Sequence, residues 1–156
     1  MLQSASLKVI LFVGLFSLLG CEKKRSPSKL IFPEKADGLF LLIYEDPIAP
    51  PLPEDGRSIL IDFTKSNTIR TSSSLQDGWA KDQIIAQNFS GVTTGEISMS
   101  DFSPDSFGIN RKTVGGQTFK FTAYWLGPSA KLSFLKRDDL VVEELEKLAA
   151  SKVSPE

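Results

Sequence analysis

The stretch LFLLIY, residues 39–44, is a continuous apolar run that directly follows Gly38. It is shorter than a typical helix, and its isoleucine, phenylalanine and tyrosine favour an extended conformation. A strand without a polar face has no side to expose to water. We therefore expect residues 39–44 to form a buried strand at the centre of a sheet.

Two segments downstream alternate between apolar and polar residues, as a half-buried strand does. Residues 118–125, TFKFTAYW, place Phe119, Phe121, Ala123 and Trp125 on one face and Thr118, Lys120, Thr122 and Tyr124 on the other. This pattern predicts a core position for Trp125 and an exposed Tyr124. Residues 58–64 place Ile59, Ile61 and Phe63 on one face, and we expect this strand to pair with residues 39–44.

The intervening segments carry shorter signals. Residues 68–71 predict a short strand, and residues 83–89 contain the core candidates Ile84, Ile85 and Phe89. Residues 91–116 are dominated by Ser, Thr, Gly, Asp and Asn, so we expect a long, partly ordered excursion. Gly115-Gly116 is expected to end it in a turn.

The C-terminal segment changes to a helical period. Asp138 or Asp139 can cap a helix, and apolar residues at helical spacing follow, namely Val141, Leu145, Leu148 and Ala149. The spacing predicts a helix over residues 138–151, before Ser154-Pro155. Strands followed by one helix predict a mainly β domain, a small antiparallel sheet or sandwich with one C-terminal α-helix.

Composition limits the classes of function. The chain is 41% hydrophobic and 24% charged, which is ordinary for a globular protein and too apolar for a disordered one. Its 18 basic and 19 acidic residues lack the basic surplus that nucleic-acid binding requires. No histidine and a single cysteine exclude the commonest general base, most zinc sites and an internal disulfide. We expect a protein that is not an enzyme and uses no cofactor or metal.

The N-terminus has the organisation of an export signal. Residues 1–8 are polar, with the one positive charge of Lys8, and residues 9–19 are almost entirely apolar. This run is well short of the about 20 residues that cross a bilayer, so a cleavable leader fits better than a membrane helix.

The leader ends in Leu18-Leu19-Gly20-Cys21, which resembles the lipobox of bacterial lipoproteins. The resemblance implies that residues 1–20 are removed between Gly20 and Cys21, and that palmitate and other acyl groups on Cys21 anchor the chain to a membrane. Two or more acyl chains anchor a protein stably. Glu22 stands where aspartate is the usual inner-membrane retention signal, which favours an outer membrane, facing the periplasm or the cell surface. The alternative is an ordinary secretory leader with a cysteine left by chance.

The segment after Cys21 predicts a tether. Residues 22–29, EKKRSPSK, are polar and charged, and cannot bury enough apolar surface to order themselves. Their basic residues can contact anionic headgroups. We therefore expect residues 21–30 to be the lipidated cysteine and a flexible tether, and residues 31–156 to be a single domain.

Several motifs between residues 32 and 80 follow one another in a characteristic order. They are Pro33 to Gly38, the strand ending in Tyr44, the Pro-rich APPLP at 49–53, Asp55-Gly56, TSS at 71–73, and Gly78-Trp79-Ala80. In this order they resemble a family of uncharacterised bacterial lipoproteins. That family has no assigned function and no known catalytic residues, so the resemblance implies an envelope lipoprotein and transfers no site.

Catalytic constellations are not apparent in the sequence. Glu54-Asp55 are adjacent carboxylates before Gly56, where a turn explains them better than acid/base chemistry. Ser72, Ser73 and Ser74 have no histidine to activate them, and local backbone capping is the commoner role of such residues.

The candidates for partner binding are Trp79, Tyr124, Pro50 and Pro51. Tryptophan and tyrosine are enriched at interfaces, and four prolines make the proline arm, Pro47 to Pro53, a rigid loop. We expect this arm and the loops near Trp79 to present a surface to another envelope protein. Two alternatives remain open: a hydrolase of envelope polymers that uses carboxylates alone, and an inhibitor that inserts the arm into an enzyme cleft.

Overall fold

A computed structural model of the protein describes residues 24–76, 78, 80–88, 90–97, 102–104 and 110–151. Within these residues, two sheets and one α-helix make up the fold, with a short 3-10 helix (Gly127–Lys131) before the α-helix. The elements are β1 (Ser28–Pro33), β2 (Gly38–Tyr44), β3 (Glu54–Asp55), β4 (Ser58–Asp62), β5 (Thr68–Arg70), β6 (Gln83–Gln87), β7 (Thr93–Glu96), β8 (Phe102–Pro104), β9 (Asn110–Val114), β10 (Gln117–Leu126) and α1 (Phe134–Ser151).

Both sheets are mixed. Sheet 1 has the order β3-β4-β1-β6-β7, and sheet 2 has the order β5-β2-β10-β8, with β9 paired to the first half of β10. Apart from the antiparallel hairpin of β3 and β4, the chain crosses between the sheets from β1 to β6, so strands separated by a crossing run in the same direction: β1 is parallel to β4 and β6, and β2 is parallel to β5. The predicted mainly β fold with one C-terminal helix is confirmed.

The predicted pairing of residues 58–64 with residues 39–44 is wrong. β4 lies in sheet 1, between β1 and β3, whereas β2 lies in sheet 2. The two strands instead face each other across the core, where Ile61 and Phe63 share one cluster with Phe40 and Leu42. The alternating pattern specifies which face of a strand is buried, but it does not specify the neighbouring strand.

β2 is buried on both faces because sheet 2 is the middle layer of three. Phe40, Leu42 and Tyr44 point towards sheet 1, and Leu41 and Ile43 point towards α1. All five side chains are buried. The prediction of a central, buried strand is therefore confirmed.

β10 presents one face to the helix. Phe119, Phe121, Ala123 and Trp125 pack there with the helical residues Val141, Leu145 and Ala149. Trp125 is completely buried, as predicted. These three helical residues have the spacing predicted from the sequence, and they form the stripe that covers this face of β10.

α1 begins earlier than predicted. The backbone N–H of Arg137 donates to the Ser133 carbonyl at 3.1 Å, so the first helical hydrogen bond starts at Ser133. Asp138 and Asp139 therefore lie in the second turn and cannot cap the helix, and Asp138 pairs with Lys112 at 2.6 Å. Phe134 and Leu135 form the first turn of α1.

The predicted excursion over residues 91–116 contains more structure than expected. β7, β8 and β9 lie within it as short strands, while residues 98–101 and 105–109 lie outside the described part of the chain. Gly115 and Gly116 join β9 to β10 with φ values of 58° and 77°. Two central residues with positive φ match the twist of a hairpin, and glycine adopts them without steric cost, so the predicted turn is confirmed.

Candidate contact surface

The proline arm leaves β2 through a sharp change of direction. Glu45, the residue after the strand, has a φ of 57°, which turns the chain out of the sheet. Asp46 then closes a turn, since its carbonyl accepts the Ala49 N–H at 3.1 Å. A proline has no N–H to donate to a neighbouring strand, so the arm cannot extend β2.

Most of the arm is exposed. Pro50 and Pro51, both predicted binding residues, are exposed, and Ile48 has a relative exposure of 80%. Ala49 is half-buried, and the Leu52 side chain packs against the core between the sheets. Ile48 was not among the predicted binding residues, although a large apolar residue between prolines, in a loop that cannot join a sheet, is a signal for an exposed contact residue.

Polar contacts with residues 71–73 hold the arm in place. Thr71 is completely buried, and its hydroxyl donates to the Pro50 carbonyl at 3.0 Å. The same carbonyl accepts the Ser72 N–H at 3.2 Å, and the Leu52 N–H donates to the Ser73 hydroxyl at 2.9 Å. The arm is therefore ordered by its contacts with this segment. An ordered, exposed loop is also the geometry that the inhibitor alternative requires.

A buried carboxylate secures the start of the arm. Asp46 is only 4% exposed and forms an ion pair with Arg70, the last residue of β5. Its backbone N–H also donates to the Thr71 carbonyl at 2.9 Å. The charge of Asp46 is thereby compensated, as a buried carboxylate requires.

The predicted tether is ordered from Arg25 onwards. The Arg25 guanidinium contacts both carboxylate oxygens of Asp82, at 2.9 Å from Nη1 to Oδ1, and the Ser28 N–H donates to the same carboxylate at 2.7 Å. The hydrogen bond to Asp82 outweighs desolvation and raises the pKa of Arg25. β1 then begins at Ser28 and lies between β4 and β6, so residues 25–30 are part of the folded domain and not of a flexible tether.

Tyr124 is not exposed as predicted. It is 8% exposed and lies in the core between the sheets, because sheet 1 covers the face of β10 that the sequence marked as polar. Beside it, Tyr44 accepts a hydrogen bond from the Thr122 hydroxyl at 3.4 Å. Burial raises the pKa of Tyr44 and, more strongly, that of Tyr124. The Tyr124 side chain is therefore a core group and does not belong to a partner-binding surface.

The other predicted site residues are not brought together. Gly20, Cys21 and Trp79 lie outside the described residues. Glu54 and Asp55 form β3, and the Asp55 carboxylate pairs with Lys29 at 3.2 Å. Within the described ranges there is no group of three potential metal-ligating side chains and no helix long and apolar enough to span a membrane.

An open cleft of about 630 Å³ lies between the turn that follows β1, strand β7 and the 3-10 helix. Glu34 and Glu96 are its carboxylates, and both are exposed to water. The carboxyl groups of a catalytic acid/base pair are usually buried in a cleft that excludes water. The cleft lacks that environment, so it gives little support to the hydrolase alternative.

Comparison with known proteins reveals a similarity of fold. No family model and no curated protein matches the sequence. The fold is shared with a solved bacterial protein. That protein is described as "Putative Lipoprotein from Bacillus anthracis"; the two structures superpose with a TM-score of 0.63 at 17% sequence identity, over 82% of this chain and 96% of the other. At this identity the similarity establishes the architecture of two sheets and a helix.

Proposed function

We propose that the protein is a membrane-anchored lipoprotein of the bacterial cell envelope and that its domain is a non-catalytic binding or structural module. The observation that carries this proposal is the apolar leader ending in Gly20-Cys21, only four residues before Arg25. An acylated Cys21 would hold such a domain at a bilayer surface. The fold shared with the Bacillus anthracis protein supports the same interpretation.

The engagement of candidate catalytic groups in local structure supports a non-catalytic role. The Ser73 hydroxyl accepts the Leu52 N–H, and Asp55 is paired with Lys29 in an exposed hairpin. These contacts position the arm and the edge of sheet 1. We therefore assign the exposed part of the proline arm, with Pro50 and Pro51, as the surface that contacts another component of the envelope.

The proposed location follows from the residue after the cysteine. Glu22 stands at the position where an aspartate is the usual signal for retention in the inner membrane. We therefore propose the outer membrane, with the domain in the periplasm or on the cell surface. Fractionation of the membranes, followed by detection of the domain, tests this assignment.

Metabolic labelling with radioactive palmitate tests the anchor. The parent chain should incorporate label, and Cys21→Ser should lose it completely, because Cys21 is the only thiol in the chain. Ser26→Ala is the matched control and should remain labelled, since its exposed side chain lies five residues beyond the modified position. Label that persists in Cys21→Ser, or an intact Met1 on the mature protein, would refute the proposal.

A further inference from the structure

The described part of the domain begins close to the proposed anchor. Lys24 is the first described residue, three positions after Cys21. An extended chain spans at most about 3.6 Å per residue, so Lys24 lies within roughly 11 Å of the anchored cysteine in any conformation. The headgroup region of one leaflet is about 5–8 Å thick. The end of the domain that carries Lys24 is therefore held at the level of the headgroups when Cys21 is acylated.

The proline arm lies at this same end. β4 begins between two prolines: the Ile59 N–H donates to the Pro27 carbonyl at 2.9 Å, and the Leu60 N–H donates to the Pro53 carbonyl at 2.8 Å. Neighbouring strands are about 4.8 Å apart, so the end of the arm is about 10 Å from Pro27. A membrane surface that is close to Pro27 is therefore also close to the end of the arm.

Unpaired charge at this end is mainly positive. Lys24, Arg57 and Lys81 are exposed, and among the residues that the structure describes none of the three is within 4.0 Å of a carboxylate. Lys81 precedes Asp82, the partner of Arg25, and Arg57 lies in the hairpin turn just before β4.

The acidic groups of the same end are almost all compensated. In the described part of the chain, the exposed carboxylates without an ion pair at this end are Glu54, in β3, and Glu146, on α1 three residues before Ala149, which lies beside Gly115. The others each face a basic side chain: Glu45 with Lys120, Asp46 with Arg70, Asp55 with Lys29 and Asp82 with Arg25. The net unpaired charge therefore favours an anionic surface.

We propose that the proline arm rests on the membrane to which the chain is anchored, with Ile48 inserted among the headgroups and with Lys24, Arg57 and Lys81 against lipid phosphates. An exposed apolar side chain flanked by basic residues is the chemistry of an interfacial contact with an anionic leaflet. The proposal rests on the acylation of Cys21. It makes the bilayer the occupant of the contact surface and fixes the orientation of the domain.

The orientation identifies a matched control position. β1 and β6 are parallel and start at the membrane end, so the loop after β6 lies at the opposite end of the sheet. Val92, in that loop, is an apolar residue with a relative exposure of 58%. Ile48→Cys and Val92→Cys thus place single thiols at the two ends of the domain, because the native cysteine is capped by lipid in the mature protein.

The experiment measures the rate at which a charged, membrane-impermeant maleimide modifies these thiols. The full lipidated chain is reconstituted, at a low protein-to-lipid ratio, in vesicles of three parts phosphatidylcholine to one part phosphatidylglycerol. Rate constants are compared rather than extents, because the reagent reaches only outward-facing molecules. We expect the thiol at position 48 to react at least five-fold more slowly than the thiol at position 92. Pro50→Cys, which retains Ile48, should be protected in the same way.

Charge variants test the basic residues. In the Ile48→Cys background, replacement of Lys24, Arg57 and Lys81 by glutamine should raise the rate at position 48 at least two-fold, whereas Lys35→Gln, at the opposite end of β1, should leave it unchanged. Equal rates at positions 48 and 92 on a chain whose mass shows an acylated Cys21 would overturn the membrane contact alone. A thiol at position 48 that is protected in native membranes but not in vesicles would show that the arm contacts a protein. This result would also overturn the proposed membrane contact. A mass without acyl groups would overturn both proposals.

Discussion

β2 and the proline arm are neighbours in the chain, but different interactions order them. β2 is buried from Phe40 to Tyr44 because sheet 1 covers one face and α1 covers the other. Ile48, four residues after Tyr44, is 80% exposed. The arm is ordered instead by hydrogen bonds to the buried Thr71, and its start is held by the ion pair between the buried Asp46 and Arg70. An apolar side chain can therefore be held at the surface by an ordered backbone, which suits a contact role.

The largest effect is expected when apolar packing is removed from the core. Phe32 is completely buried, and its ring centroid lies 5.0 Å from that of Phe63 and 5.1 Å from that of Phe40. Phe32→Ala should lower the free energy of unfolding by about 3–5 kcal/mol, since it leaves a cavity among aromatic rings. Urea denaturation measures the change. Ile48→Ala is the control and should change stability by less than about 0.5 kcal/mol. Similar losses for both variants would remove the distinction between core and arm.

A smaller effect is expected where the arm is fastened. Thr71→Val keeps the shape of the side chain but removes the hydroxyl that donates to Pro50 and accepts the Ser73 N–H. The lost hydrogen bonds should lower the free energy of unfolding by about 1–2 kcal/mol. Cleavage at Ile48 by a protease specific for apolar residues should become faster in the native state.

Ser72→Ala provides the control for this variant, because Ser72 is exposed and contributes its backbone N–H to the arm. It should retain the parent stability and resistance to cleavage. An arm that stays equally resistant in Thr71→Val would show that the prolines alone hold it.

The smallest effect is the alkaline sensitivity of the core. Burial raises the pKa of Tyr44 and Tyr124 in the folded state above the value of about 10 for an unfolded chain. Below pH 10 both states keep the phenolic protons, and stability is unaffected by these groups. Above it the unfolded state loses its protons first, so stability falls as pH rises, with a limiting slope of about 1.4 kcal/mol per pH unit for each tyrosine.

Tyr124→Phe should reduce this alkaline loss by about 1 kcal/mol at pH 11, relative to its own stability at pH 8. Chemical denaturation across this range measures the difference. Any loss of stability at high pH that has other causes is common to the parent and the variant, so it cancels when the two are compared. A parent and a variant with the same pH dependence would contradict the buried position of the hydroxyl.

Much of the fold could be predicted because its signals are local. The run at residues 39–44, the alternation at residues 118–125 and the stripe of Val141, Leu145 and Ala149 each report the face that a segment buries. The structure uses all three faces as predicted. The turn at Gly115-Gly116 was likewise predictable, because its two positive φ values favour glycine.

The contact surface was predicted less well. Pro50 and Pro51 are exposed as a rigid loop requires, but Tyr124 is buried and Ile48 was missed. The alternation of β10 predicts that Tyr124 faces water. Sheet 1 covers this face of β10, so Tyr124 is buried instead. The order of Arg25 depends in the same way on Asp82, which is 57 residues away.

The sequence by itself determined the apolar segment that ends in Gly20-Cys21, the type and approximate position of the main strands and helix, and the absence of N–H donors at the four prolines of the arm. These properties depend on residues close together in the chain. The tertiary structure decided which strands pair, that both faces of β10 are covered and where the arm lies relative to the N-terminus. Those results depend on contacts between distant segments, which compete for the same apolar surface and which no local pattern encodes.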